Sequence, residues 1–308
     1  MLSYVLRRAG GIFLTLFVLV SLSFLIVRLA PGGPFDQEQA LSAPVRANLE
    51  RLYGLDQPLL VQYGRYLGAL AHGDFGPSLR QRDYSVGELI AQGLPVSATL
   101  GLTAMVLALL LGVGAGITAA VWRSRGADLG LAAVTALLIA LPSFVVGPLL
   151  ALIFAVHLHW LPVAGWEPGS IRDLVLPVIA LALPPLAYIA RLTRGGMLEV
   201  LRSPFIRTAI AKGLPLHAVI LRHALRPALV PVAGFVAPAV ASIMTGSLVV
   251  ESIAGLPGVG RYLVQGALNR DYTLVMGMVI IYSTALIGMG LIVDLVYAWL
   301  DPRVRYRR

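Results

Sequence analysis

SPFIRTAIAKGLP, residues 203–215, is a short basic stretch in a chain otherwise suited to lipid. It carries its own start and stop signals. Ser203 suits a helix N-cap, and Pro204 suits the first helical position. Gly213 suits the residue just past the helix end, and Pro215 discourages continuation. About nine helical residues remain, roughly 13 Å at ~1.5 Å per residue. A bilayer core needs about twice that length. The stretch therefore predicts a small capped helix in a loop between membrane spans.

Composition supports this setting. The chain has 308 residues, of which 58% are hydrophobic and only 13% charged. Soluble domains run nearer about a quarter charged. With no cysteine, disulfides and thiolate metal sites are excluded. A net charge of +9 would point a soluble chain towards nucleic acid. Here the basic residues cluster in particular loops, as membrane topology requires.

Stretches free of Asp, Glu, Lys and Arg mark six candidate spans: 9–27, 89–122, 129–166, 174–190, 227–250 and 272–293. Each has room for one helix of about 20 residues. The fourth is short and carries Pro177, Pro184 and Pro185. Six spans put both termini on one side. Fifteen of the 24 basic residues fall on that side, from Arg7 and Arg8 through the 195–226 loop to Arg308. The expected fold is thus an all-α integral membrane protein of about six spans with both termini cytoplasmic. Residues 1–30 form the tail and first span, 31–95 an outer loop, and 96–308 the membrane core with its cytoplasmic loop. The first apolar run is too long for a signal peptide, and no small-x-small site follows it in RLAPGGPF.

The outer loop has helical content. Residues 44–53 read as a helix closed by Gly54, and 58–71 as a second closed by Gly73. Ser85 suits the cap of a third. Such a helical cap either contacts a partner or shields the spans.

Several chemistries are missing. A P-loop needs Gly-x-x-x-x-Gly-Lys-Ser/Thr, but the one lysine, Lys212, precedes Gly213 and Leu214. The glycines of GLPGVGR (255–261) lack that lysine and read as a loop with special backbone angles. Only Asp294 interrupts an apolar run, where pairing with an arginine or capping is the plainer role. His157 and His159 are two apart and share no helical face, so no metal site is expected. No Ser-His-Asp set stands out for hydrolysis. The chain reads as a non-enzyme that is either passive or driven by a partner docked on the inside.

A helical wheel sorts the opening stretch into two faces. Phe205, Ile206, Ala209, Ile210 and Gly213 fall on an arc of about 140°, opposite Arg207, Thr208, Ala211 and Lys212. One reading is an amphipathic helix resting on the membrane surface. The other is a helix that enters a groove on another protein.

The run FIRTAIAKGLP through HALRPALVP resembles the cytoplasmic loop of ABC-importer permeases. The resemblance extends along nearly the whole chain, through LRRAGGIFLTLF, RLAPGGPF, YGLDQPLLVQYGRYL, AHGDFGPSL, PSFVVGPLL, GLPGVGRYLVQGALNRDY and DLVYAWLDPRVRY. The set is similar to the B-type permeases of the peptide/nickel branch, most of all the oligopeptide members. Two departures stand out. The family's Glu-Ala-Ala positions are Arg207, Thr208 and Ala209, and the closing proline, Pro227, falls one place late. A glutamate contact to the ATPase therefore does not carry over.

The resemblance implies half of a translocation pore in a bacterial inner membrane. It implies a second permease subunit, two ATPase subunits that bind ATP and Mg, and an external peptide-binding protein. The coupling surface is then expected at Phe205, Ile206, Arg207, Ala209, Ile210, Lys212 and Gly213. Ser242, Thr245 and Ser247 are the candidate pore-lining residues, with helix-to-helix hydrogen bonding as the competing role. Dipeptide, nickel or glutathione import is the alternative within the branch. A partner-free channel or facilitator is the alternative outside it.

Overall fold

The computed structural model describes residues 2–29, 33, 43–81, 83–122 and 125–300. Most of 30–42, the 301–308 tail and the side chains of Arg7, Arg8 and Asp294 lie outside what is described. The described residues are helical, with no strand beyond an isolated bridge between Pro77 and Ser85.

Among the described residues, five helices are long and apolar enough to cross a membrane: α1 (Leu2–Leu29), α4 (Val86–Val121), α7 (Arg172–Leu201), α11 (Val230–Ala254) and α13 (Tyr272–Leu300). The expected third span differs. It is broken into α5 (Arg125–Ala140) and α6 (Ser143–Leu150), the latter continued by a π-helical stretch Ala151–His157, with a bend of 99°. Pro142 explains the break. It disfavours helical angles at Leu141 and cannot donate to the α5 ladder, and it sits extended (ψ 140°) as the residue that starts α6. Counted as one bent span, the pair makes six.

The fourth span is longer than its apolar run. α7 continues through Pro177, Pro184 and Pro185 for 30 residues and passes Arg191 and Arg194. Neighbouring helices supply the packing that lets a membrane helix absorb prolines.

The chain divides into two compact units, one of residues 1–97 with 257–285, the other of 98–256 with 286–308. In the first, α1 packs on α3 (Leu59–Ala71): Phe24 stacks on Tyr66, with ring centroids 6.0 Å apart, and Ser21 shares a 2.6 Å hydrogen bond with Tyr63. α2 (Ala43–Leu52) precedes Gly54, and α3 precedes Gly73, both at positive φ as their sequence positions predict. Ser85 begins α4 with a reciprocal cap. Its hydroxyl accepts from the Glu88 amide at 3.2 Å, and the Glu88 carboxylate accepts from the Ser85 amide at 2.7 Å. Val86, Leu89 and Ile90 then join Val259 of α12 (Val259–Leu268) and Leu274 and Met278 of α13 in one buried cluster.

In the second unit α7 is the spine, packed by α5, α6, α11 and α10 (Leu225–Ala228). α4 reaches it through glycines. A Cβ at Gly116 would stand 2.5 Å from the Thr193 Cβ and 2.6 Å from the Ala190 carbonyl oxygen. One turn earlier, a Cβ at Gly112 would stand 2.9 Å from the Leu186 carbonyl oxygen. Small residues at this spacing let two membrane helices approach closely.

Candidate coupling site

The loop after α7 folds into α8 (Pro204–Ala211), the single turn α9 (Leu216–Ala218), a π-helical stretch Val219–Ala224, and α10. Ser203 occupies the expected N-cap position, with extended backbone at φ −70° and ψ 152°. Its hydroxyl does not cap. It donates instead to the Val200 carbonyl at the end of α7, 2.6 Å away. Pro204 is the first helical residue, where its missing amide costs nothing. At the other end Gly213 takes φ +82°. Its amide donates to Ile210 (2.9 Å) and the Leu214 amide to Ala209 (3.3 Å), the paired bonds of a Schellman close.

Burial divides the residues expected on the coupling face. Ile206 is fully buried and Ala209 nearly so, in a cluster with Ala120, Met197, Val219, Ile220, Ala224 and Ala228. Phe205 and Ile210 remain half-exposed at 51% and 54%. Arg207, Lys212 and Gly213 are also exposed. Within α8 the centre of the apolar arc therefore faces this chain's own core, with Phe205 and Ile210 open on its flanks, while Gly213, past the helix end, is exposed. That corrects the expectation that Ile206 and Ala209 form an open docking face. The physical reason is that an amphipathic helix on a protein surface turns its apolar stripe inward, and periodicity cannot tell an internal groove from a partner's.

Two further exposed side chains lie beside these flanks, Leu214 at 39% and Leu216 at 55%. The sequence signal for them was available. Both flank Pro215, in the exposed connection just past the α8 close. The exposed set is thus Phe205, Ile210, Leu214 and Leu216, with Arg207 and Lys212 among them. Such a surface combines apolar contact with positive charge.

The candidate pore residues separate likewise. Ser242 and Thr245 are exposed on α11 and three residues apart, so they share a face. Thr245 returns its hydroxyl to the Ala241 carbonyl at 2.8 Å. Ser247 is buried, with its hydroxyl on the Met244 carbonyl at 2.8 Å. It is corrected from pore-lining to a residue inside this chain's own packing. His157 and His159 are also apart in role: His157 Nδ1 lies 2.7 Å from the Leu152 carbonyl, and His159 has φ 54°.

Residues 112–306 match the family described as binding-protein-dependent transport system inner membrane component. Over 306 residues the chain is 51% identical to the oligopeptide transport system permease protein OppB of Escherichia coli K12, covering 99% of this chain and 100% of that one. It is 48% identical to the protein of the same name from Haemophilus influenzae, over 99% of this chain and 100% of that one. The dipeptide transport system permease protein DppB of Bacillus subtilis is 42% identical, over 100% of this chain and 99% of its own length. With its spans, its broken third helix and its α8 loop, the chain belongs to the family of inner-membrane permease components of binding-protein-dependent transport systems.

Proposed function

We propose that this chain is a permease subunit of an ATP-driven importer that moves oligopeptides into the cytoplasm. The observation that carries this reading is the 51% identity to an oligopeptide permease, sustained over the whole of both chains. The chain supplies half of the pore. A second permease, two ATPase subunits and an external peptide-binding protein complete the machine. Both termini and the α8 loop lie inside, as the fifteen-to-nine split of basic residues predicts. The segment 31–95 lies outside.

The coupling step follows from how α8 is seated. A docked ATPase meets Phe205, Arg207, Ile210 and Lys212, which are exposed. Behind them Ile206 and Ala209 share a core with Met197 of α7 and Ala228 of α10. A well-packed core transmits displacement rather than absorbing it. When ATP binding draws the ATPases together, the push on α8 reaches the spine of the second unit through this cluster. Ser242 and Thr245 supply polar groups to the passage. No bond chemistry belongs to this chain.

Reconstitution tests the assignment. The chain is co-expressed with its partner subunits in cells lacking peptide uptake. Uptake of peptides longer than dipeptides, dependent on ATP and on the binding protein, is expected. Uptake of dipeptides alone, of nickel or of glutathione would move the chain to another member of the branch. Uptake by this chain without any ATPase would establish the channel reading instead.

A further inference from the structure

Asp271 is fully buried at the turn between α12 and α13, and its carboxylate gathers donors from two distant parts of the sequence. Oδ1 accepts from the Leu274 amide at 3.2 Å, which makes Asp271 the N-cap of α13. The Thr273 hydroxyl of α13 also lies 3.1 Å from Oδ1, and the remaining donors come from the loop before α4. The Leu79 amide reaches Oδ1 at 3.1 Å, and the Arg80 amide reaches Oδ2 at 3.2 Å. The Ser78 hydroxyl also donates to Oδ2. Two more bonds extend the seam. Thr273 donates its hydroxyl to the Pro77 carbonyl at 2.6 Å, and Arg80 Nε donates to the Asn269 carbonyl at 3.0 Å. The loop is closed on itself as well, through the Val86 amide on the Gly76 carbonyl at 3.0 Å.

A helix cap needs only the Leu274 amide. The surplus donors hold a loop that follows α3 and leads into α4. Hydrogen bonds to a buried carboxylate are charge-assisted, and an asparagine keeps only one accepting oxygen, so the Arg80 amide on Oδ2 meets an NH2 group instead. The arrangement therefore locks the position of the 76–81 loop to the head of α13. Nearby packing has the same sense, since a Cβ at Gly277 of α13 would collide with the Val86 side chain at the start of α4.

We propose that Asp271 is a positioning residue that makes the 76–81 loop and the head of α13 one mechanical body. A load placed on the segment between α1 and α4 by a docked substrate-binding protein then reaches the last span. This rests on the importer reading above. It differs from a purely structural role in its consequence: the response to the binding protein is lost before assembly or basal activity.

The test uses the complete importer in proteoliposomes, with partner subunits free of cysteine, and compares the unsubstituted chain with Asp271→Asn. Equal subunit content and equal basal ATPase activity are expected. Stimulation by peptide-loaded binding protein should fall by about tenfold, the scale set by losing a charge-assisted bond. Cysteines placed at Arg80 and Asn269 in the Asp271→Asn chain, joined by a short thiol-specific cross-linker, should restore the stimulation. Undiminished stimulation in Asp271→Asn overturns the proposal. So does a parallel loss of basal activity, a cross-link that fails to rescue, or a cross-link that blocks the otherwise unsubstituted chain. Should Asp271→Asn not assemble, Thr273→Val, which removes the hydroxyl shared between the Pro77 carbonyl and Asp271 Oδ1, is judged by the same criteria with a smaller loss expected. If the unsubstituted importer responds to no peptide-loaded binding protein, the importer reading fails rather than this one.

Discussion

Leu214 donates its amide to the carbonyl of Ala209 at 3.3 Å, and this bond closes α8 across a residue with φ +82°, Gly213. Open space surrounds the position where a Cβ would stand on Gly213. Any penalty for a side chain there is therefore backbone strain and not collision. A β-branched residue at this angle costs roughly 1–2 kcal/mol, whereas asparagine tolerates it. Gly213→Val should keep the chain inserted but cut uptake several-fold, and Gly213→Asn should retain most of it. Membrane content by immunoblot and peptide uptake by the same cells check both. Equal uptake by the two variants would remove the left-handed close from the mechanism.

The α4–α7 crossing predicts a contrast between two glycines one half-turn apart. Gly116 meets Thr193 and Ala190, while a Cβ at Gly114 would meet nothing within 4 Å. Overpacking a tight contact costs about 1–3 kcal/mol or more. Gly116→Leu should lower the amount of folded chain recovered in mild detergent, and Gly114→Leu should not. Thermal unfolding followed by size-exclusion gives the ranking.

Much of this was legible in the sequence because it depends on neighbours in the chain. Runs without charge located the spans, and Gly54, Gly73 and Gly213 sit where their helices end. Two features were not legible, for the same reason. Whether a proline breaks a helix depends on what packs around it: Pro142 ends α5, while Pro184 and Pro185 pass within α7. Asp271 is the clearest case among side chains. It stands next to the helix it caps, but its donors at Ser78, Leu79 and Arg80 lie more than 190 residues away.

Tyr66 offers a test with the opposite sign. Its hydroxyl is buried and has no hydrogen-bond partner among the described residues. Burial pushes its pKa up to about 12, so it stays a neutral phenol. A buried hydroxyl without a partner carries a desolvation cost of about 1–3 kcal/mol. Tyr66→Phe removes that cost while keeping the ring on Phe24, and the melting temperature should hold or rise. A clear fall would mean that the hydroxyl has a partner in the assembled importer.

Sidedness is checked with single cysteines, since the chain has none of its own. Asp83 and Lys212 are both exposed. In intact cells, a reagent that does not cross the inner membrane should block Cys at 83 and leave Cys at 212 free. The reverse pattern would invert the topology and place α8 away from any ATPase.

The last prediction concerns which side of α8 meets the ATPase, and here burial reverses what the wheel suggests. Read as a docking arc, Ala209→Trp would hurt coupling alone. Because Ala209 and Ile206 lie in the chain's own cluster, changes there act on folding first. Ile206→Ala should cost about 2–5 kcal/mol, and Ala209→Trp should overpack the same cluster, so both lower the yield of intact chain. Phe205→Ala and Ile210→Ala act on half-exposed side chains and should leave yield unchanged. If those side chains enter a groove on the ATPase, removing both should weaken ATPase retention on purification and abolish most uptake. A helix that merely rests on anionic lipid predicts another order, with Arg207→Glu worst and retention of the ATPase intact. Normal yield and full transport by Ala209→Trp would contradict the burial assignment. Full ATPase retention by the Phe205→Ala, Ile210→Ala double variant would contradict docking through the exposed flanks.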